Sequence, residues 1–180
     1  SLWRLDFDSE LVYAGDAGNT VAGRPSRRTG LEWSNHWTPG KHVVMDANLA
    51  WTRPRYTDMA PSGDAIANAM QRVANWTLAL KNVGQWSGAL GIRSLGSAPL
   101  NTSDTVRSAS STTANLRVQR QWSEDLTWAL DVLNLTDRKN NDISYYYTSR
   151  VGSEPPAGVS DLHIHPAEPR TFRFTVSKRL

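Results

Sequence analysis

The residues best suited to bind a ligand lie near the C-terminus, within residues 145–165. His163 and His165 are two positions apart, so an extended backbone places both imidazoles on one face, which Asp161 shares. Imidazole nitrogens suit Fe, Cu, Ni and Zn, so this face could contact a metal chelate. A third ligand at a firm spacing is missing, and we therefore predict no directly bound metal ion. The alternative interpretation is a loop segment that only packs against its neighbours.

A run of tyrosines and two charged residues precede the histidines. Tyr145, Tyr146 and Tyr147 alternate faces when extended and are predicted to lie at the rim of the seventh strand, residues 126–135, where one or two of them could stack on an aromatic or sugar-like ligand. Arg150 could bind an acidic chelate, and Glu154 lies in the same segment. The alternatives are an aromatic belt at a membrane surface and ordinary solvated charges. The candidate ligand-binding residues are Tyr145, Tyr147, Arg150, His163 and His165.

Nothing in the sequence indicates an enzyme. Asp6, Asp8 and Glu10 share one face of an extended strand, and paired carboxylates can perform acid–base chemistry, but a structural charge network is the simpler interpretation. No Gly-x-Ser-x-Gly, His-Glu-x-x-His, P-loop or dinucleotide fingerprint is present. Cysteine is absent, which excludes disulfides, thiolate zinc sites and cysteine nucleophiles. We therefore predict no catalytic residues, no metal site and no cofactor.

These candidates must be positioned by strands, because the dominant pattern along the chain has a period of two. In the first segment Trp3, Leu5 and Phe7 alternate with Arg4 and Asp6, which predicts one apolar and one charged face. All eight Trp fall on the apolar positions of such segments. The alternation marks eight segments, at residues 2–13, 27–38, 42–52, 70–81, 85–95, 111–122, 126–135 and 170–180.

Short and long connections alternate between these segments. Short turns at 38–41, 82–85 and 123–125 separate long links at 14–24, 53–69, 96–110 and 136–169. In an up-and-down antiparallel sheet all the long links then lie at one end, as in bacterial outer-membrane barrels. The alternatives are a soluble β-sandwich or a lipocalin-like barrel, whose strands alternate similarly. Soluble strands usually run about 5–6 residues and tilted membrane strands roughly 9–11, so the segment lengths favour a membrane barrel.

Aromatic and charged residues also favour a barrel that contacts lipid. Four tryptophans lie close to the short turns, namely Trp37, Trp86, Trp122 and Trp128. Trp51 and Tyr13 lie beside the long links, which predicts two aromatic belts around an apolar band. The polar face carries charges of both signs, including Arg28, Asp46 and Arg117, as expected for a wet interior crossed by salt bridges.

Composition excludes other classes. The net charge is only +3, so nucleic acid is not a predicted partner. No apolar run approaches the roughly 20 residues of a membrane-spanning helix. The chain opens at Ser1 without a visible signal peptide, so we expect either that the peptide was removed or that the start of the protein is missing.

The sequence resembles a known family, most specifically toward the C-terminus. Residues 131–139 read DVLNLTDRK and resemble the N-L-F-D-R-K signature on the penultimate strand of TonB-dependent outer-membrane receptors. Residues 141–150 and 161–170 resemble the tail of one subgroup of that family, and residues 28–33 and 46–56 resemble family strands. The resemblance covers essentially the whole chain.

The resemblance implies an all-β fold, an antiparallel up-and-down transmembrane barrel. The family builds 22-stranded barrels with a plug in the lumen. The eight strands would be the last eight, so residues 1–180 would be the C-terminal portion of the barrel, with the plug domain and TonB box absent. The implied function is active uptake of a scarce ligand, such as a siderophore or metal chelate, across the outer membrane. The implied partners are the outer-membrane lipid bilayer, the TonB system through the missing N-terminal region, a small extracellular ligand and the outer-membrane assembly machinery through the C-terminal strand.

The C-terminus departs from the family pattern. The family usually ends in Phe or Trp, which the assembly machinery reads, but this chain ends in Leu180, and Lys178 interrupts the apolar alternation before it. Two other functions stay open. One is a self-contained eight-stranded outer-membrane barrel with a structural or adhesive role, whose interior side chains nearly fill. The other is a soluble β-rich binding module.

Overall fold

The computed structural model describes residues 1–14 and 19–179, and strands dominate it. The strands are β1 (Leu2–Phe7), β2 (Leu11–Ala14), β3 (Asn19–Ala22), β4 (Ser26–Gly40), β5 (Val43–Tyr56), β6 (Arg72–Val83), β7 (Trp86–Leu95), β8 (Ser111–Gln121), β9 (Leu126–Leu133), β10 (Asn141–Ser149), β11 (Val159–Pro166) and β12 (Thr171–Lys178). Within those ranges no helix is long and apolar enough to cross a membrane. The side chains of Tyr13 and Leu180, which the sequence analysis singled out, lie outside the described part.

Eight of the strands form one antiparallel sheet in the order β1-β4-β5-β6-β7-β8-β9-β12. The other two pairs, β2-β3 and β10-β11, are hairpins within the first and last of the long links. Without these hairpins the sheet is an up-and-down meander, which confirms the predicted architecture. The first predicted strand is too long, because β1 ends at Phe7 and the chain bends before β2. Neither hairpin was predicted.

The apolar side of the sheet is continuous over seven strands, from β4 to β12. One row of directly paired residues runs from β6 to the last strand through Leu78, Leu90, Leu116, Val132 and Phe172. The outermost of these, Phe172, is 66% exposed although it is aromatic. Large apolar side chains that point outward in a continuous band are typical of a surface that contacts lipid. The apolar face predicted for these seven strands is therefore confirmed.

The facing predicted for β1 is wrong. Its register places Trp3 opposite Gly30, which lies on the polar face of β4, so the apolar residues of β1 do not join the apolar band. Arg4 and Asp6 lie instead on the apolar side of the sheet, where Asp6 is opposite Arg27. Trp3 is thus the exception among the tryptophans assigned to the apolar face, and Asp6 does not share a face with the polar residues of β4.

Packing explains the inversion of β1. A Cβ atom at Gly30 would lie only 2.4 Å from a ring carbon of Trp3, so glycine leaves room for the indole against β4. On the other side, the Asp6 carboxylate accepts hydrogen bonds from Nε of Arg4 at 2.7 Å and Nε of Arg27 at 2.6 Å. Alternation within a strand defines two faces but not which one meets the apolar face of the next strand. Here the glycine and the ion pairs decide it.

The short turns form as predicted. They lie at residues 41–42, 84–85 and 122–125, and each connects two strands that are neighbours in the sheet. Asn82 and Gly84 have φ angles of 51° and 63°. This left-handed conformation is adopted most readily by Gly and Asn, so the residue types and the tight turn agree.

Two long loops pack against each other at the opposite end of the sheet. We call residues 57–71 and 96–110 the loop pair. Apolar residues from both loops are at most 4% exposed, namely Ala65, Ile66, Ala98 and Leu100. The Ala65 amide donates to the Thr102 carbonyl at 3.0 Å, which links the backbones of the two loops. The loop pair therefore has a small core of its own, beyond the ends of β5 to β8.

Candidate ligand-binding site

The candidate residues lie on the β10–β11 hairpin or at its tip. The register pairs Tyr145 with His163 and Tyr147 with Asp161, and His165 lies two residues beyond His163 on β11. Directly paired residues point to the same side of a sheet, so the two tyrosines and the two histidines share one face. The structure therefore brings four of the five candidates onto one surface.

The position of the tyrosines differs from the prediction. The sequence analysis placed them at the rim of the seventh sheet strand, but that strand, β9, ends at Leu133. The tyrosines belong to β10, which pairs only with β11 in the described part of the chain. The extended backbone expected for residues 161–165 is present, because these residues lie within β11.

Tyr147 and His163 form the central contact of this face. Their rings stack with centroids 3.8 Å apart and planes 13° from parallel. Nε2 of His163 is buried and has no hydrogen-bond partner among the described residues. Buried polar atoms normally have a partner, so a ligand could exchange a hydrogen bond with this nitrogen only after the neighbouring groups move to expose it. We call the stacked pair the aromatic platform.

Arg150 lies beyond the paired strands, at the tip of the hairpin. Its Nε donates to the Glu154 carbonyl at 3.1 Å, and the Glu154 carboxylate accepts a hydrogen bond from the Val151 amide at 2.7 Å. Glu154 therefore shapes the turn. Arg150 is exposed, and its remaining N–H groups make no hydrogen bond within the described residues, so they are accessible to an anionic ligand.

A cleft separates the base of the hairpin from the loop pair. Its volume is about 230 Å³, and it is lined by Asp142 and Tyr145 of β10 and by Asn68, Leu100 and Ser108 of the loop pair. Typical small-molecule pockets enclose about 300–1,000 Å³, so a ligand would place only part of itself here. Tyr145 is the candidate that connects this cleft to the face of the aromatic platform.

Residues of the family-like signature tie the hairpin to the sheet. Asn134 is buried, and its Nδ2 donates to the carbonyls of Arg138 and Glu168 at 2.9 and 3.2 Å. The Asp137 carboxylate accepts hydrogen bonds from the backbone and side chain of Arg170 at 3.2 and 3.3 Å. Both ends of the excursion between β9 and β12 are thus held together. Sequence reasoning singled out the signature but missed this role, because Asn134 and Glu168 are distant in the chain.

The polar face of the sheet carries ion pairs. Nη1 of Arg117 donates to both carboxylate oxygens of Asp131 at 2.9 and 3.0 Å. Nη2 of Arg28 donates to the Glu10 carboxylate at 2.6 Å. Glu10 is one of the three carboxylates considered for acid–base chemistry, and this ion pair gives it a structural role. These pairs agree with the predicted network of mixed charges, apart from the inverted residues of β1. In the described ranges, no group of three or more His, Asp or Glu could hold a metal ion.

A further ion pair lies outside the sheet, between two loops. Nε and Nη2 of Arg24 donate to the two oxygens of the Asp58 carboxylate, and the guanidinium lies 4.3 Å from the centre of the Tyr56 ring. The hydrogen bonds from Arg24 hold the pKa of the Asp58 carboxyl below its ordinary value. The pair therefore keeps its charges at neutral pH.

Solved structures share this architecture. The siderophore receptor PiuA from Acinetobacter baumannii matches 99% of this chain with 25% of its own, at 12% identity and a TM-score of 0.71. The ferric-catecholate import receptor Fiu from E. coli K12 matches 98% of this chain with 24% of its own, at 19% identity and a TM-score of 0.70. The copper transporter OprC matches 98% with 28% of its own, at 17% identity and a TM-score of 0.63. The chain has the barrel fold of the TonB-dependent siderophore and metal receptors.

The TonB-dependent receptor fold agrees with the resemblance seen in the sequence. No protein-family model matches the sequence, and no curated protein matches it. The chain spans about a quarter of the length of the solved receptors it matches. These structural neighbours are transport receptors rather than enzymes. In such a barrel the apolar side of the sheet meets lipid and the polar side faces the interior.

The lipid-facing side of the receptor fold carries an aromatic belt at the short-turn end. Trp86 and Trp128 meet edge to face, with ring centroids 5.5 Å apart, and Trp128 lies 6.1 Å from Phe174. The Arg120 guanidinium lies over the rings of Trp86 and Trp122, at 5.3 and 4.6 Å from their centres. The clustering of rings at this end agrees with the predicted belt.

Proposed function

We propose that the chain is part of the barrel wall of a TonB-dependent outer-membrane receptor that takes up a scarce ligand. In this proposal residues 1–180 are the C-terminal portion of the barrel, and the eight sheet strands are the last eight of 22. The plug and the TonB box belong to a preceding region, through which the TonB system acts. The outer-membrane bilayer surrounds the apolar face, and the assembly machinery recognises the C-terminal strand.

The open sheet carries this proposal. In the described part, β1 and β12 are the two edges of the sheet and do not pair with each other. Almost the whole chain, 99% of it, matches only 25% of the receptor PiuA. An open sheet edge inside a bilayer leaves backbone N–H and C=O groups unsatisfied, which is strongly unfavourable. Further strands are therefore needed to complete a barrel, and a larger receptor supplies them.

The hairpin supports a metal chelate as the ligand. The solved neighbours include receptors for ferric catecholates and ferric yersiniabactin and a copper transporter. The aromatic platform offers aromatic rings, which suit a chelate that contains aromatic groups. The exposed guanidinium at the hairpin tip suits an anionic chelate. In this proposal the ligand-contacting residues are Tyr145, Tyr147, Arg150, His163 and His165.

Immunoblotting of fractionated cells tests whether the chain is part of a larger barrel. An antiserum raised against residues 150–158 is expected to detect one outer-membrane protein of about four times the 20.0 kDa of this chain. A heat-modifiable band of about 20 kDa would instead support the alternative, a self-contained eight-stranded barrel with a structural or adhesive role. A band in the soluble fraction would contradict both proposals.

Uptake of radiolabelled iron by iron-starved cells tests the transport role. Deletion of the gene is expected to abolish uptake of a ferric catecholate chelate, and a plasmid copy is expected to restore it. The variants Y147A and H163A are expected to reduce uptake, because each removes one ring of the aromatic platform. The matched control is Y146A, since Tyr146 pairs with Leu162 and lies on the other face of the same strand.

The outcomes separate two claims. If deletion abolishes uptake while Y147A and H163A transport normally, the transport role stands and the assignment of the hairpin as ligand contact is wrong. If deletion has no effect on uptake of ferric catecholate, ferric hydroxamate or copper, the transport proposal itself is contradicted.

A further inference from the structure

We infer that the lipid-facing side of the sheet carries a second ligand site, which binds the phosphate groups of a phosphorylated glycolipid in the outer leaflet of the outer membrane. The inference rests on the proposed function, because it requires the barrel to lie in that membrane. Outer-membrane barrels place their long loops on the outside, so the long-loop end of the sheet is level with the outer-leaflet headgroups.

The site is a cluster of arginines at this end. We call it the arginine rim, and it consists of Arg4, Arg27, Arg53 and Arg72. Arg4 and Arg53 flank Thr29 in one row of paired residues, on the same side of the sheet as the apolar band. Arg72 is opposite Trp51, at the upper limit of the band. All four side chains therefore project from the lipid-facing side.

Within the described residues a single carboxylate balances the charge of the arginine rim. Asp6 accepts hydrogen bonds from both Arg4 and Arg27, and these three residues form one connected group. Arg53 and Arg72 form no ion pair with any residue that the structure describes. Four cations and one anion leave an excess of three positive charges on a small surface. Next to a membrane such an excess attracts anionic headgroups.

One neighbouring arginine does not belong to the site. Arg55 is opposite Arg27 in the register, but its guanidinium lies 3.6 Å from Asp64 and 3.9 Å from Asp104 of the loop pair. The loop carboxylates therefore balance its charge. The loop pair thus provides two carboxylates to Arg55, whereas it provides none to the four residues of the arginine rim within the described residues.

The dimensions of the site suit a headgroup that carries more than one phosphate. Adjacent strands are about 4.8 Å apart and alternate residues about 6.8 Å apart, so the arginine rim extends roughly 14 Å across β1 to β6 and roughly 14 Å along them. Guanidinium groups match phosphate oxygens through paired N–H donors. Trp51, level with Arg72, and Trp33, one row below it, are 48% and 51% exposed, and they offer an apolar surface to acyl chains. Charge above an apolar band matches a phosphorylated sugar headgroup above acyl chains.

The inversion of β1 contributes directly to the site. With the facing predicted from the sequence, Arg4 and Asp6 would lie on the polar face, away from Arg27 and Arg53. The observed register, held by Trp3 against the glycine of β4, brings Arg4 to the lipid-facing side. The site is therefore a property of strand register that the alternation pattern does not reveal.

Native mass spectrometry of the intact receptor, extracted from outer membranes in mild detergent, tests the inference with purified diphosphorylated lipid A as the probe. Binding of lipid A is expected, and the double variant R53Q/R72Q is expected to weaken it about tenfold or more, since each cation near an anionic headgroup contributes severalfold. The variant R53K/R72K is expected to retain most of the binding, because the charges remain. The matched control is R93Q/R173Q, which removes two arginines from the polar face.

Three results would overturn the inference: equal binding of lipid A and its fully dephosphorylated form, equal binding of phosphatidylglycerol, or unchanged binding by R53Q/R72Q. The first two results come from the unmodified protein, so they test the inference even where a variant does not fold. A heat-modifiability gel checks the folding of each variant. Failure of the proposed function looks different. In that case the protein is absent from the outer-membrane fraction, whereas failure of this inference leaves it there.

Discussion

The two ends of the lipid-facing side use arginine in different ways. At the short-turn end, Arg120 lies over the rings of Trp86 and Trp122, so the chain itself provides its partners. At the long-loop end, Arg53 and Arg72 have no charged partner in the described part of the chain. The difference teaches that the role of a membrane-facing arginine is set by its neighbours. A stacked arginine stabilises the protein, whereas one without a charged partner among the described residues is available to a lipid phosphate, as inferred above.

The largest effect on the free energy of unfolding is expected from an arginine placed midway between these two ends of the sheet. Leu116 and Thr112 lie on the same face of β8, with Leu116 in its middle and Thr112 at its long-loop end. The variant L116R is expected to lower the free energy of unfolding by about 2–4 kcal/mol, and T112R by about 1 kcal/mol or less, because the cost of a charge falls away from the bilayer midplane. Urea unfolding of the receptor in lipid vesicles measures both. Equal costs would contradict the placement of the band.

A smaller effect is expected from the rings of the aromatic belt. W128A removes contacts with Trp86 and Phe174, and we expect a loss of about 2 kcal/mol, since the side chain is only partly buried. W51A serves as the comparison at the long-loop end, where Trp51 is 48% exposed, and we expect a loss of about 1 kcal/mol or less. The same unfolding measurement applies. A larger loss for W51A than for W128A would contradict the greater contribution of the aromatic belt at the short-turn end.

The arginines themselves provide the sharpest comparison. R120A is expected to cost about 1 kcal/mol of stability, because the cation–π contacts with two indoles are lost. R53A is expected to leave the free energy of unfolding in detergent nearly unchanged, because no described residue pairs with it. Thermal unfolding in a neutral detergent measures both variants without lipid phosphates. A clear loss of stability for R53A would mean that the chain, not a lipid, balances that charge.

The smallest effect is expected at the Arg24–Asp58 pair, also at the long-loop end. The lowered pKa of Asp58 means that the contribution of the pair is fully present above the ordinary carboxyl pKa of about 4 and is lost as the pH falls through the lowered value. Limited proteolysis within residues 57–71 is therefore expected to accelerate below pH 4 in the native protein. In D58N cleavage is expected to be faster at neutral pH already and to change less with pH. Identical pH profiles would contradict the role of the pair.

Much of the sheet could be predicted because each strand shows the period-two alternation of apolar and polar residues in its own sequence. In the middle of β4 to β9 and β12 the large apolar residues of one face pair with one another, as Leu78, Leu90 and Leu116 do, so the alternation and the structure agree. β1 was misassigned because alternation does not state which face joins the neighbouring strand. That choice depended on Gly30, whose missing side chain matters only once Trp3 lies against it.

The candidate site was predicted in part, for a related reason. The parity of His163 and His165 placed both on one side of an extended segment, which β11 confirms. The stack of Tyr147 on His163 could not be predicted, because it depends on the pairing of two strands that the sequence analysis interpreted as a single long link. The anchoring by Asn134 was likewise invisible, since its partner Glu168 becomes a neighbour only after the hairpin folds.

The clamp formed by Asn134 and Asp137 has a consequence for how such a receptor can change. By joining Glu168 and Arg170 to the end of β9, it makes the long excursion equivalent, for the barrel wall, to a short turn. The hairpin itself, residues 141–166, can then change in length or composition without moving these two ends, whereas Asn140 still donates to the Thr112 carbonyl of β8 at 3.2 Å. Under the proposed function, insertion, deletion or exchange of the hairpin would change the ligand preference while the strands of the sheet keep their register.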